Sequence, residues 1–227
     1  MAITAKMYGL AFKSAFNKEI AYATDVVEAV LCSSTYVPDQ DTHQYASSLA
    51  GELTTTVGAS LGTVAVAITT GVLTVSAAET LVVGDRVRLG AMTDGAPLVA
   101  GTTYFVASVP SSTTLTLAAT LGGAAIVTTS AGSSTSIQLV TNYERVTMTG
   151  KAVTYTAATN TLMLDASDFT FLGVTGTFRY LVYLIDTGVA ATSPLVAYVD
   201  FGADQTATAQ NINLTLDPAG VVSVVVA

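Results

Sequence analysis

The apolar residues of this chain come in short runs of about three to eight residues, separated by threonine, serine and glycine. Runs of this length that end at turn-forming residues are typical of β-strands. From residue 53 to residue 141 the breaks recur about every 8–12 residues, which predicts an all-β domain. The segments predicted as strands there are TVAVAITT, GVLTVSA, DRVRLGAM, TTYFVASVP, TTLTLAAT, AAIVTTS and TSIQLV. Within them Arg86-Val87-Arg88-Leu89 alternates strictly, which predicts one buried and one exposed face.

The segments on either side of residues 53–141 also predict strands, with more aromatic side chains. VVEAVLCS is typical of a buried strand, and Val37-Pro38-Asp39 predicts the turn that ends it. Towards the C-terminus, residues 157–160 predict a turn between two strands, and FRYLVYLIDTG and PLVAYVDFGAD predict two longer apolar strands. INLTLDPAGVVSVVVA predicts a final hairpin with Asp217-Pro218-Ala219-Gly220 as its turn.

Residues 5–20 predict a short amphipathic helix. Its apolar stripe consists of Tyr8, Phe12, Ala15, Phe16 and Ile20, at helical spacing. We expect these side chains to pack on the protein's own sheet. The alternative is that the helix is an arm that docks into a partner subunit.

The distribution of aromatic and charged residues indicates two domains. Of the 10 tyrosines only Tyr104 lies between residues 53 and 141, and that segment holds few charged side chains. We therefore predict a discontinuous β-rich base domain, residues 1–52 plus 142–227, with a small β domain, residues 53–141, inserted in a loop. The predicted fold class is mainly β: a β-sandwich or barrel-like domain with a short N-terminal helix and a second small all-β domain.

Composition narrows the classes of function. The chain has 227 residues, is 51% hydrophobic and carries 8 Lys and Arg against 16 Asp and Glu, a net charge of −8. Binding along a nucleic-acid backbone needs clustered cations, so no nucleic-acid partner is expected, and an acidic surface disfavours anionic membranes. No apolar run approaches the ~20 residues of a spanning helix, and the first residues do not predict a signal peptide. The charged fraction of 11% is low and is typical of proteins that contact other subunits.

One stretch, LCSSTYVPDQDTHQY, holds the only cysteine and the only histidine, Cys32 and His43, together with Asp39 and Asp41. Thiol catalysis would need Cys32 and His43 to meet and a third group to orient the imidazole. A structural zinc site usually takes four Cys or His ligands, and a calcium loop needs more carboxylates and glycines than this stretch has. Because Cys32 lies in an apolar strand, we expect it in the core, with the two aspartates as turn and cap residues.

The other carboxylates and glycine-rich segments carry no catalytic motif that we recognise. Asp165 and Asp168 could be imagined as a glycosidase pair, but their place between two strands predicts a turn, and Asp200 and Asp204 are interpreted in the same way. VTGTF and LGGAA lack the lysine or the opening helix of phosphate-binding loops. We therefore predict no enzyme, no catalytic residues, no cofactor and no metal.

Three motifs outside residues 53–141 resemble a recurrent family of tailed-bacteriophage virion structural proteins. They are Leu-Cys-x-Ser-x-Tyr-x-Pro-x-x-Asp-x-His, then Gly-Lys-x-Val-Thr-Tyr, then Tyr-Val-Asp-Phe-Gly, within residues 7–52 and 142–210. Residues 53–141 resemble a small β module that is added to many phage head and tail proteins. This resemblance rests on less specific motifs, namely VGDRVRLGAM, PLVAGTTYFVASV and TTLTLAAT. Glu52-Leu53 and Tyr143-Glu144-Arg145-Val146 match the ends that are joined directly in relatives without this module.

The resemblance implies a minor capsid or head-decoration protein. The expected partner is the major capsid protein, the expected place is the outer surface of the capsid, and a homo-oligomer, a trimer by analogy, is expected. The inserted domain would project outward. The alternative is a tail or neck component, that is, a tube, ring or tail-tip protein. A module that binds the host surface is less favoured, because carbohydrate platforms usually expose aromatic rings and the inserted segment has few.

Overall fold

The computed structural model describes residues 5–75, 81–217 and 220–225, and within them the chain is mainly β-structure. This confirms the predicted fold class. In chain order the strands are β1 (Ala5–Met7), β2 (Val27–Cys32), β3 (Thr56–Ser60), β4 (Val64–Val66), β5 (Val72–Val75), β6 (Arg86–Leu89), β7 (Met92–Asp94), β8 (Thr103–Ser111), β9 (Thr114–Ala118), β10 (Gly132–Ser134), β11 (Ile137–Thr141), β12 (Val146–Thr147), β13 (Ala152–Thr156), β14 (Thr161–Asp165), β15 (Phe169–Ile185), β16 (Leu195–Leu214) and β17 (Val222–Val225). An α-helix, α1, spans Gly9–Phe16, and 3₁₀ helices span Ala46–Ser48 and Ala190–Thr192.

The chain folds as two compact units. The base unit consists of Met1–Thr54 together with Asn142–Ala227, and the inserted unit is Thr55–Thr141. The predicted boundaries were 52/53 and 141/142, so the first one differs by two residues. Within the described ranges, no helix has the length and apolar character needed to cross a bilayer.

The base unit is a sandwich of two antiparallel sheets with a further layer on its outside. Its larger sheet has the order β1-β16-β15-β2-β12, and the smaller has the order β13-β14-β17. Side chains alternate across the larger sheet. One face, which we call the sandwich face, packs against the smaller sheet and contributes Leu31, Leu181 and Tyr183 to that core. The opposite face, which we call the tyrosine face, lies beneath α1 and contributes Cys32 and Tyr198 to a second core.

The inserted unit is built on a nine-stranded antiparallel sheet with the order β3-β11-β6-β8-β9-β5-β4-β10-β7. Its core is made of aliphatic side chains with Tyr104 as the aromatic member. Val87 and Leu89 on β6 are buried, as the alternation predicts. Arg86 is buried as well and Arg88 is half-buried, donating to Thr103 Oγ1 at 3.2 Å, so β6 does not have the predicted exposed face.

The N-terminal helix is shorter than predicted and buries a different face. Residues 5–7 are not helical, because they pair with β16 as an added edge strand, β1. This pairing leads the chain into α1 with Tyr8 in the core, and Ala11 and Ser14 then follow at helical spacing on the buried side. Phe12 is 39% exposed and Phe16 is 87% exposed. The prediction that these two rings pack on the protein's own sheet was therefore wrong.

Three other local predictions were also wrong. β2 ends at Cys32 and is followed by a turn at residues 34–35, where the Tyr36 N–H donates to Ser33 O at 3.1 Å, so Val37-Pro38-Asp39 does not end it; a second turn lies at residues 40–42. AAIVTTS forms no strand; it makes only the isolated bridge between Ala125 and Ala118. Gly220 N–H donates to Asp217 O at 2.7 Å, as in a turn, but β17 pairs with β14 instead of completing a hairpin with β16. Pro218 and Ala219 of the predicted turn lie outside the described residues.

Candidate functional site around Cys32 and His43

Cys32 lies at the end of β2, on the tyrosine face of the larger sheet. Its side chain is fully buried in the core beneath α1. Burial raises the pKa of the Cys32 thiol to about 12, and the nearby Glu52 carboxylate raises it further in the same direction. Because the thiolate is the nucleophile of cysteine chemistry, this environment suits a packed core residue and opposes thiol catalysis.

His43 makes its hydrogen bonds within a chain of buried phenols. Its Nδ1 accepts the Asp39 N–H at 3.3 Å and lies 3.2 Å from the Tyr36 hydroxyl, and the two rings stack with centroids 5.5 Å apart. Since Nδ1 accepts from a backbone N–H, we assign the Tyr36 hydroxyl as the donor to it. Tyr36 can then accept from the Tyr8 hydroxyl, which lies 2.6 Å away and is fully buried. The structure thus joins His43 to two tyrosines.

Burial raises the pKa of Tyr8 and also raises the pKa of Tyr36, the latter to about 12. Both phenols therefore stay protonated at neutral pH and can act as donors in the chain that ends on His43. The tyrosine face is also lined by Tyr198, whose ring centroid lies 5.2 Å from that of Tyr8, and by Tyr180, which meets the Tyr36 ring edge-on. This cluster of four tyrosines and His43 is a packed polar network within a core.

Asp39 closes the turn at residues 40–42. Its Oδ1 accepts the N–H of Asp41 at 2.9 Å and the N–H of Thr42 at 3.1 Å. Hydrogen bonds from the Thr42 side chain and from the Asp41 backbone hold the pKa of Asp39 below its usual range. Asp39 thus has the turn role that the sequence predicted for it. Within the ranges that the structure describes, no group of three or more His, Cys, Asp or Glu side chains is placed to hold a metal ion.

Asp165 and Asp168 each fix backbone at the end of a strand. Asp165 Oδ1 accepts the N–H of Ala166 at 2.9 Å, and Asp168 Oδ1 accepts the N–H of Leu216 at 2.8 Å. The second bond ties the loop before β15 to the segment that follows β16. Both carboxylates therefore hold loop backbone, in keeping with the predicted turn.

Asp200 and Asp204 both lie within β16, so the prediction that they belong to a turn was wrong. Arg179 donates to the two Asp200 oxygens at 3.0 and 3.2 Å, and this bidentate pair holds the pKa of Asp200 below its usual range. Asp204 Oδ2 accepts from Ser34 Oγ at 3.3 Å, which links β16 to the segment after β2. The pair of Arg179 and Asp200 was not predicted from the sequence, because it depends on the pairing of β15 with β16.

A polar cluster of the base unit joins the segment before the insertion to the segment after it. We call it the junction cluster: Glu28, Glu52, Tyr143 and Arg145. Arg145 donates to both oxygens of Glu52, at 2.7 and 2.8 Å, and to Glu28 Oε2 at 3.1 Å. The Tyr143 hydroxyl donates to Glu52 Oε1 at 2.9 Å and accepts the Leu31 N–H at 3.3 Å.

Charge and burial act together in the junction cluster. The Glu52 carboxylate beside it raises the pKa of Arg145, so the guanidinium stays charged. Burial, followed by the charge of Glu52, raises the pKa of Tyr143. Burial also raises the pKa of Glu28 although Arg145 donates to it. Glu52-Leu53 and Tyr143-Glu144-Arg145-Val146 were predicted as the ends of the insertion, but the contact between their side chains was not.

The tyrosine network is buried apart from the half-buried His43, and the junction cluster is partly exposed. Six of the polar side chains singled out in the sequence bond to backbone or to other side chains, namely Asp39, His43, Asp165, Asp168, Asp200 and Asp204. Comparisons with protein-family models, with curated proteins and with solved structures found no match for this chain.

Proposed function

We propose that this chain is a non-enzymatic structural protein of a tailed-phage virion that decorates or cements the outside of the capsid. The base unit would bind the major capsid protein, and the inserted unit would face away from the shell. The proposal starts from the resemblance of the three motifs in residues 7–52 and 142–210 to phage virion proteins.

The observation that carries the proposal is where the residues of the longest motif lie. Cys32, Tyr36 and His43 all belong to that motif: Cys32 is a core residue, and Tyr36 and His43 are members of one hydrogen-bonded network. Tyr36 is buried and His43 is half-buried, and their hydrogen bonds attach the motif to the core beneath α1. A motif whose residues pack in a core or bond to one another supports a structural role over an enzymatic one.

Charge supports the outer surface over the interior of a capsid. The chain has a net charge of −8, and packaged DNA would repel such a surface. The same charge does not oppose contact with a shell protein. A tail or neck position is the second candidate, because the module that residues 53–141 resemble occurs on head and tail proteins alike.

The test is immunogold labelling of intact virions of the phage that encodes this chain, with antibodies raised against the inserted unit. We expect gold on the outer surface of heads. Gold confined to tails or necks would replace the proposal with the second candidate. Purified virions that lack the protein altogether would overturn both.

A further inference from the structure

The outer face of α1 exposes two phenylalanines and Lys13 although the helix already buries its other side. Tyr8, Ala11 and Ser14 attach the helix to the tyrosine face. Phe16 has the largest exposed fraction among the large apolar side chains that the structure describes, and Phe12 lies one turn before it. Two aromatic rings at i and i+4 are the anchors by which a helix binds in an apolar pocket of a partner.

The sandwich face of the same sheet carries an open pocket at its margin, lined mostly by apolar side chains together with Thr215 and Asp217. Its volume is about 250 Å³. A cavity of about 150 Å³ is large enough for benzene, so this pocket has room for one aromatic side chain. The lining residues that matter here are Leu181, Tyr183, Val199, Phe201, Leu216 and Asp217.

Charge indicates which protein supplies that side chain. Three of the chain's 8 cations, Lys6, Lys13 and Lys18, lie in or beside α1, whereas the whole chain has 16 acidic residues. Lys13 and Lys18 are exposed next to the phenylalanines, and the exposed Asp217 lines the pocket. Two copies of this acidic protein repel each other over most of their surfaces, but α1 of one copy and the rim of the pocket in another attract.

We propose that two copies of this chain associate through these surfaces, with Phe16 of one copy in the pocket of the next and Lys13 or Lys18 beside Asp217. The helix and the pocket lie on opposite faces of one sheet, so a chain cannot fill its own pocket. The contact is therefore heterologous, and such contacts build rings or open chains. This association can be tested with the purified protein alone, so its outcome is independent of the proposed function in the virion.

The first experiment measures the mass of the full-length protein by sedimentation velocity and light scattering over a range of concentrations. We expect the wild type to be oligomeric and Phe16→Ala to dissociate at concentrations at least about tenfold higher than the wild type does. Tyr155→Ala is the matched control, because it removes another exposed aromatic side chain of the base unit, far from α1 in sequence. At a concentration low enough for the wild type to be monomeric as well, both variants should keep the wild-type melting temperature, since both side chains are exposed in the single chain.

The second experiment tests the direction of the contact. Asp217→Lys alters the rim of the pocket and keeps α1 intact, whereas Phe16→Ala alters α1 and keeps the pocket intact. At a concentration just above that at which the wild type associates, each variant alone should be monomeric, and a mixture of the two should give a 1:1 pair. A wild type that is monomeric at the highest concentration it tolerates, an oligomer that neither variant weakens, or a mixture without the pair would overturn the proposal.

Discussion

The tyrosine network gives the base unit a polar contact inside an apolar core. The Tyr8 hydroxyl is fully buried and bonds to Tyr36, which in turn lies within hydrogen-bonding distance of His43. Tyr36→Phe keeps the ring but leaves the Tyr8 hydroxyl without its partner. We expect this change to lower the free energy of unfolding by about 1–3 kcal/mol, the usual penalty for a buried polar group that loses its hydrogen bond. Urea denaturation measures the difference.

A double-mutant cycle separates this network from ring packing. Tyr8→Phe combined with Tyr36→Phe removes both hydroxyls, so the loss should be clearly smaller than the sum of the two single losses. Tyr155→Phe, at an exposed position, should stay within about 0.5 kcal/mol of the wild type. Strictly additive losses would show that the two hydroxyls do not interact.

Cys32 provides a second test at the level of single residues. With the pKa of its thiol raised to about 12, almost no thiolate forms at neutral or mildly alkaline pH, and the side chain is fully buried. We expect no labelling by a thiol reagent in the native protein and complete labelling in denaturant. Ser47→Cys places a second thiol at an exposed position and should label at once. Rapid labelling of native Cys32 would restore the hypothesis of a reactive thiol.

At the level of elements, the long pair of β15 and β16 is irregular along its length. Its register shifts near Val174, Gly176 and Phe178. On β16, Ala209 has a φ of 49°, in the left-handed region that disfavours any residue with a Cβ. Such shifts increase the local twist of a sheet and interrupt its edge, which discourages uncontrolled pairing with other strands.

Ala209→Gly should relieve this backbone strain. We expect it to raise the free energy of unfolding by about 1 kcal/mol, because a left-handed conformation is unfavourable for alanine and ordinary for glycine. Ala207→Gly is the matched control on the same strand, where the side chain is buried and paired opposite Gly176; it should lower stability. Thermal unfolding of both variants measures the effects, and a loss of stability with Ala209→Gly would contradict the assigned conformation.

Local patterns predicted most strands but not their partners. β5, β6 and β9 each fall inside predicted segments and β8 exceeds its segment by one residue, because alternation and turn residues are local properties. The pairing of β17 with β14 and the buried face of α1 could not be found in this way. Both depend on contacts between distant parts of the chain, namely the register of β17 and the docking of β1 on β16.

The candidate site likewise combines features that the local sequence predicted with contacts between distant residues that it did not. The turn role of Asp39 follows from its neighbours in the chain and was predicted, and the buried position of Cys32 follows from its apolar strand. The bond of His43 to Tyr36 and the ion pair of Arg145 with Glu52 are long-range side-chain contacts. Spacing along the chain does not predict such contacts. The predicted ends of the insertion did, however, include both residues of the ion pair, Glu52 and Arg145.

For the whole molecule, the structure shows why a domain can be inserted at this place. Just before the chain leaves the base unit, Glu52 bridges to Cys32, and soon after it returns, β12 pairs with Ala29. Both ends therefore lie along β2, and Arg145 joins them through Glu52 and Glu28. The base unit thus holds its own two ends together without the help of the residues between them.

Replacing residues 55–141 by a short Gly-Ser linker between Thr54 and Asn142 should therefore leave a folded base unit. We expect one cooperative unfolding transition, because the sandwich core, the tyrosine network and the junction cluster all consist of retained residues.

Arg145→Met in this shortened chain should lower its stability by about 1–3 kcal/mol, since it removes the charged hydrogen bonds to Glu52 and Glu28. Lys6→Met, which removes an exposed cation elsewhere, is the control and should change little. Circular dichroism during thermal and urea unfolding gives the readout, and a shortened chain without a cooperative transition would show that the base unit needs the insert to fold.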